Sequence, residues 1–417
     1  MDLALDAFDL TPDAVRQRFE WASRRGHPTW LWPNVAVKQW NEALARIEMI
    51  LRAVLTNEST ELSLDGHSDA IGVACYTSGV GPLLGFWNEQ GVFSASSPVA
   101  AVLKLHLRHN RLRMERMTGQ AVDLAEAFSA RGIAVTLLKG IHTAHAYFPE
   151  PGTRPASDID VLIDGSDEEA ASDILLRLRY QRGVASRWPP QCSWRLHGVP
   201  AEPRTLCFLH ADDPRSVDLQ TSLNRRHSDG APMARLDNIV HTASWGSWPV
   251  LRSARVLAQP LLLLELAVHA SCGLHALNLL RLVELIFVIR QDTRAGLLSW
   301  PEFLAIAEKA GAVGLVHLPL RLCEQLAPGT VPADVLATCE QQVPASVRQV
   351  VDNLRPADAQ RVVRCSLAER FMWTPSRTAM VRQVFLETFP SGVRSPSAFV
   401  KLCRKKFWRL SRRSVTR

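Results

Sequence analysis

Residues 157–164 read S-D-I-D-V-L-I-D. Asp158 and Asp160 stand two apart in a run that is otherwise apolar. Side chains on a strand alternate between faces. Ile159, Val161 and Ile163 therefore share one face, and Asp158 and Asp160 share the other with Leu162. At a rise of ~3.3 Å per residue the two carboxylates sit about 7 Å apart along the strand and repel each other. A cation between them would favour the arrangement. A third acid, Asp218, lies in S-V-D-L, again between apolar strand neighbours. Three carboxylates on adjacent strands can hold two Mg²⁺ ions, with Mn²⁺ as an alternative. Such ions take oxygen ligands, and substrate phosphates complete the shell. Two ions ~4 Å apart stabilise both the attacking and the leaving oxygen of a phosphoryl displacement. A Gly140 turn before the pair lets backbone N–H groups approach a triphosphate. Lys139 and Arg154 supply positive charge for the phosphates.

Other residues invite chemistry less strongly. His142 and His145 are three apart, whereas metal pairs on a helix usually stand four apart and need a third ligand. His269 and His275 read first as hydrogen-bonded core histidines, with acceptor binding as the other use. Trp245 and Trp248, in S-W-G-S-W, read as packing anchors or as stacking surfaces for a base or acceptor. Asp212 and Asp213 precede Pro214 and read as turn residues. The bland reading of Asp158 and Asp160 is a pair of exposed acids on an edge strand.

The elements that must position the acids follow from periodicity. Trp40, Leu44, Ile47, Ile50, Leu51 and Leu55 predict a helix over 38–55. Residues 56–97 are broken by Gly79, Gly81-Pro82 and Gly85 and read as loops or short helices. Met117, Ala121, Leu124 and Phe128 form one helix face, stopped at Arg131-Gly132. IAVTLLKG, 133–140, is an apolar run of strand length. Residues 149–155 are a loop, followed by the 157–164 strand. Ser166 and Glu169 form a capping box for a helix over 167–180. TLCFLH (205–210), the turn ADDP and SVDLQTSL (216–223) read as a hairpin. Val256 to Asp292 is a buried helical pair broken near Gly273, and SWPEFLAIAEKAG and VRQVVDNL continue in the same style. The organisation expected is a mainly helical region over 1–110, an α/β core over 111–235, a helical domain over 236–400 and a basic tail over 401–417.

With 417 residues, 47% hydrophobic and 21% charged, the chain is ordinary globular material, long enough for two or three domains. The start is acidic, then mixed, and does not read as a secretory signal. The uninterrupted apolar stretch from Leu266 to Leu280 is shorter than the ~20 residues of a membrane span, so no transmembrane segment is expected. The eight cysteines are scattered without a C-x-x-C pair, which argues against a zinc module and for free thiols in the cytoplasm. The net charge is +7, much of it in KLCRKKFWRLSRRSVTR at 401–417. That run reads as a solvated tail, or as a surface for nucleic acid, membrane or an acidic partner.

A Gly turn, a strand bearing alternate aspartates and a third Asp on a later strand together resemble the DNA polymerase beta-like nucleotidyltransferase superfamily. The likeness is closer to a bacterial branch, an uncharacterised nucleotidyltransferase family with the signature GI-x-x-x-x-LKG … R-x-x-x-DIDLLV. Here it is matched by Gly132-Ile133, Leu138-Lys139-Gly140, Tyr147-Phe148-Pro149, Arg154 and the run from Ser157 to Ile163. The branch's D-L-H strand is similar to Asp218-Leu219-Gln220, and its E-L-x-x-H helix to Glu265 through His269. The resemblance covers roughly residues 100–290. Lys139-Gly140 stands where the superfamily has Gly-Ser or Gly-Gly. The loop from Gly140 to Asp158 is longer than usual, and Gln220 and Thr221 replace the branch's His and Trp.

The resemblance implies an α+β fold. A polymerase beta-like core, a mixed sheet with helices, is flanked by helical regions on both sides. It implies that Asp158 and Asp160 hold both metals. Asp218 then holds the catalytic one and helps deprotonate the acceptor. Lys139, Gly140, Arg154 and Ser157 are the nucleotide- and phosphate-binding positions. The reaction implied moves a nucleoside monophosphate from an NTP such as ATP to a small-molecule, peptide or protein acceptor and releases pyrophosphate. The rivals are a non-catalytic scaffold that keeps the fold, and an RNA-directed transferase using the basic tail.

Overall fold

The computed structural model describes residues 9–25, 31–58, 62–186, 191–226, 231–241, 244–272, 277–360 and 373. The basic tail 401–417 and His275 lie outside the described residues. At the centre is a seven-stranded sheet. Its strands are β1 (Thr136–Leu137), β2 (Asp158–Leu162), β3 (Tyr180–Ser186), β4 (Gln191–Leu196), β5 (Ser216–Gln220), β6 (Trp245–Ser247) and β7 (Arg255–Leu257). Their spatial order is β6-β7-β1-β2-β5-β4-β3. The sheet is mixed: β2 runs parallel to β5, and β7 to β1, while the other neighbours are antiparallel. The mixed α+β architecture is the one expected for a nucleotidyltransferase core.

The alternation in β2 does what the strand period requires. Ile159, Val161 and Ile163 are buried against Met117, Ala121, Leu124 and Phe128 of the helix Ser97–Ser129. Burying each such side chain contributes roughly 1.5–3 kcal/mol, so this face pins the strand and forces Asp158 and Asp160 to the other side. The helix is 33 residues long and runs unbroken through position 110. A second apolar cluster joins the helices Val37–Thr56, Leu261–Cys272, Leu279–Arg294 and Val313–Leu326. The pair Leu261–Cys272 and Leu279–Arg294 is the helical pair expected on either side of Gly273. No single helix among the described residues is long and apolar enough to cross a membrane. The helices Ser68–Ser78 and Gly81–Glu89 pass only as a pair bent by 117°, and most of their residues are buried.

Several local expectations are corrected. TLCFLH is not a strand, and the antiparallel partner of β5 is β4. Local side chains satisfy the backbone of 204–213 and hold it as a loop. Asp213 accepts from the N–H of Arg204 (2.7 Å) and of His210 (2.8 Å), and Thr205 accepts from Cys207 (3.1 Å). Leu206 and Phe208 then turn inward. The cap near residue 166 is Asp164, whose Oδ1 accepts from the Ser166 N–H at 2.9 Å and from its hydroxyl at 2.7 Å. The Ser166 hydroxyl is thus a donor to Asp164, and the helix begins at Glu168. That helix ends at Arg177, and Arg179, with φ +65°, turns the chain into β3. Of the run 133–140, only Thr136 and Leu137 join the ladder. Residues 56–97 hold the two short helices Ser68–Ser78 and Gly81–Glu89.

Candidate active site

Register brings the acids together. In the β2–β5 ladder Asp160 stands beside Asp218, and Asp158 beside Ser216. Paired residues of neighbouring strands point the same way, ~4.8 Å apart. All three carboxylates therefore rise from one face at the floor of a cleft of about 680 Å³. One guanidinium sets the entry of both strands. Arg113, fully buried on the long helix, donates to the carbonyls of Ala156 (2.9 Å), Ser157 (3.3 Å), Asp213 (2.8 Å) and Pro214 (2.7 Å). These carbonyls lie at or just before the residues that open β2 and β5.

Each acid has a different setting. Asp160 is 4% exposed; its Oδ1 lies 3.1 Å from Lys139 Nζ and accepts from Gln220 Nε2 at 2.9 Å. Asp218 accepts from Gln191 Nε2 through Oδ2, while its buried Oδ1 has no protein donor. Asp158 is walled in by protein but reached from the open side of the cleft. Burial first, and the charge of Asp160 second, push the Asp158 carboxyl up to about 6, with Lys139 pulling the other way. Burial first, and the charge of Asp160 second, also raise Asp218, against the charge of Lys139.

A raised carboxyl holds its proton longer in the folded state than in the unfolded one. The stability such a group contributes is then fully present below about pH 4 and is lost as pH rises through about 6. Asp158 contributes to that loss, at most about 3 kcal/mol. Asp213, which burial also pushes up to about 6, acts in the same window. In urea melts from pH 4.5 to 7 without divalent ions, Asp158→Asn is expected to lose less stability than the native protein. Equal slopes would show that Asp158 titrates as an ordinary carboxyl.

The remaining expected positions also line the cleft: Lys139, Gly140, Arg154 and Ser157. Gly140 has φ +63°, a conformation that asks for glycine, while a Cβ there would only reach ordinary contact, 3.4 Å, with an Arg154 nitrogen. It opens the short helix Ile141–Ala146. Arg154 is buried and meets Glu284 through two bonds, Nε to Oε1 at 3.1 Å and Nη2 to Oε2 at 3.0 Å. Glu150 pairs instead with Arg111, at 2.5 Å. Ser157 is exposed at the cleft edge.

His269 lines the cleft, and burial together with Lys139, Arg281 and Arg225 holds it well below the usual imidazole range, hence neutral. His142 and His145 do not join the acids; His145 bonds Thr118 at 2.9 Å. Trp248 is fully buried, edge-on to His145, and has no face open to a base. Sequence reading misses Gln191, Glu284, Arg281 and Arg113 as members of this site. Gln220 is visible in sequence only as a departure from a family histidine, yet its amide holds Asp160.

The donor set suits a hard divalent cation. It consists of carboxylate oxygens, and Asp218 Oδ1 is buried with lone pairs that no protein group uses. The acids converge without closing: among the described residues no three His, Cys, Asp or Glu side chains are already gathered to hold a metal ion. Lys139 supplies the local positive charge.

A family model described as an uncharacterised nucleotidyltransferase matches residues 77–328, more than half of the chain. That span holds β1–β7, the three acids and the helix that carries Glu284. No curated protein and no solved structure matches the chain.

Proposed function

The chain belongs to this uncharacterised nucleotidyltransferase family, and we propose that it moves a nucleoside monophosphate from an NTP to the hydroxyl of a small-molecule, peptide or protein acceptor. The observation that carries the reading is Asp160 beside Asp218, with Asp158 on the same face, at the floor of a cleft rimmed by cations. Asp158 and Asp160 would hold two Mg²⁺ or Mn²⁺ ions, and Asp218 one of them. When bound, such ions neutralise phosphate charge and acidify a hydroxyl. Lys139, set against Asp160, supplies positive charge beside the phosphates. Gly140 lets the backbone approach them. Asp218 Oδ1 takes the acceptor's proton as the acceptor oxygen bonds to the α-phosphorus. The bond from that phosphorus to the bridging oxygen breaks, and pyrophosphate leaves. Neutral His269 adds no charge to the wall.

The test is a thermal shift with each of the four NTPs, with and without Mg²⁺, on the native protein and on Asp158→Ala/Asp160→Ala. One NTP at a hundred times its Kd should stabilise the native protein by about 2.7 kcal/mol, only with Mg²⁺, and not the double variant. No shift with any NTP would remove the donor from this reading.

A further inference from the structure

The sequence points to Lys139 and Arg154 for the phosphates, but the fold engages both. Lys139 lies against Asp160 at 3.1 Å, and Arg154 grips Glu284 with two bonds. Arg225 is likewise tied to Glu265, at 3.0 Å. Arg226 is exposed at the mouth and has a partner of its own. Arg281 differs. It is half-buried in the cleft wall, and no carboxylate pairs with it among the described residues. Its side chain makes one long contact, from Nη1 to the His269 carbonyl at 3.5 Å.

A guanidinium partly withdrawn from water costs free energy unless its donors are used; of the five N–H groups of Arg281 one meets a weak acceptor, and the others are left open to the cleft. The position is not accidental. Arg281 sits in the first turn of the helix Leu279–Arg294, where Asn278 Oδ1 accepts from its backbone N–H at 3.2 Å. It lies within the electrostatic reach of Asp158, Glu284 and Arg154. That places a planar, two-pronged donor beside the acids, the geometry that suits phosphate oxygens. The first-turn N–H groups of the same helix add to the positive potential there.

We infer that Arg281, from the helical region that follows the core, is the principal ligand of the donor's β- and γ-phosphates. This rests on the nucleotidyltransferase reading above. The helical region then supplies part of the nucleotide site as well as a wall.

The experiment measures the Mg²⁺-dependent affinity of the native protein, Arg281→Gln and Arg281→Lys for the NMP, NDP and NTP of the preferred base, and for inorganic tripolyphosphate. In the native protein affinity should rise along the series. In Arg281→Gln the NMP affinity should be kept, while the gain from NMP to NTP should shrink at least tenfold and tripolyphosphate binding should fall in step. Arg281→Lys should restore part of both. A gain of native size in Arg281→Gln overturns the assignment and leaves the nucleotide site standing. Loss of NMP affinity along with the rest also overturns it, since the residue would then be shaping the whole cleft. A native protein that binds neither NTP nor tripolyphosphate fails the functional reading itself.

Discussion

In the Asp160→Ala protein, nucleotidyl transfer is expected to fall on the order of a thousandfold, with little change in stability. The drop has the scale seen when one fixed group that handles developing charge is removed from a closed site. Asp160 is the central member of the three acids. It shares a strand with Asp158 and a ladder rung with Asp218, so no neighbouring carboxylate can take its place. Stability should change little because two effects oppose each other. The alanine strands Lys139 and the Gln220 amide, which both face Asp160 now. It also removes the like charge that raises Asp158 and Asp218. Asp160→Asn separates the terms: it keeps an oxygen for Gln220 and loses the charge. In both variants the Asp158 carboxyl should move down toward its ordinary range. Pyrophosphate release with the preferred NTP measures the first claim, and urea midpoints at unchanged slope measure the second. Turnover at the native rate in the alanine protein would end the three-acid mechanism.

How much of this site is legible in sequence depends on how far apart its parts lie. Alternation within 157–164 places Asp158 and Asp160 on the polar face, because strand period and apolar burial act over a few residues. Gly140 is legible as a turn, though its φ of +63° is not. Asp218 is legible as a strand acid, but its rung beside Asp160 is a product of parallel pairing between positions 58 apart in sequence, which no local pattern encodes. The partner of β5 is misread for a related reason. Residues 205–210 have strand composition, yet Asp213 and Thr205 give their backbone local acceptors. The strand that does pair, β4, has only Cys192 and Trp194 as its buried alternation, amid polar neighbours.

The long-range ion pairs were beyond reach altogether. Arg154 and Glu284 are separated by 130 residues, and Glu284 sits in a run that reads only as the buried face of a helix. Charge in such a run signals that a partner exists and says nothing of which one. This is also why Arg154 reads as a phosphate ligand from its place in the signature, while its side chain is turned to the helix behind the cleft. Family signatures preserve positions; they do not say whether a side chain touches substrate or holds the residue that does.

That distinction makes Glu284 the most exacting test of the architecture. Glu284→Ala is expected to destabilise the protein by about 3–5 kcal/mol, the cost of leaving a buried charge without its partner. Arg154 is 8% exposed and Glu284 3%, so neither reaches bulk water easily. Glu284 also accepts from the Thr143 hydroxyl, and the Arg154 Nη1 that donates to the Pro155 carbonyl at 2.9 Å lies against Gly140. Removing the carboxylate should therefore loosen the Gly140 turn as well as the helix contact. NTP affinity should fall even at temperatures where the variant is folded. The double variant Arg154→Met/Glu284→Leu removes both charges at similar volume, and it should be clearly more stable than Glu284→Ala alone. Urea denaturation of the two single variants and the double supplies the cycle. A loss of under about 1 kcal/mol in Glu284→Ala would place this pair with exposed ion pairs and return Arg154 to the phosphates. A loss of several kcal/mol, relieved in the double variant, would fix Arg154 as the strut that seats the turn under the nucleotide.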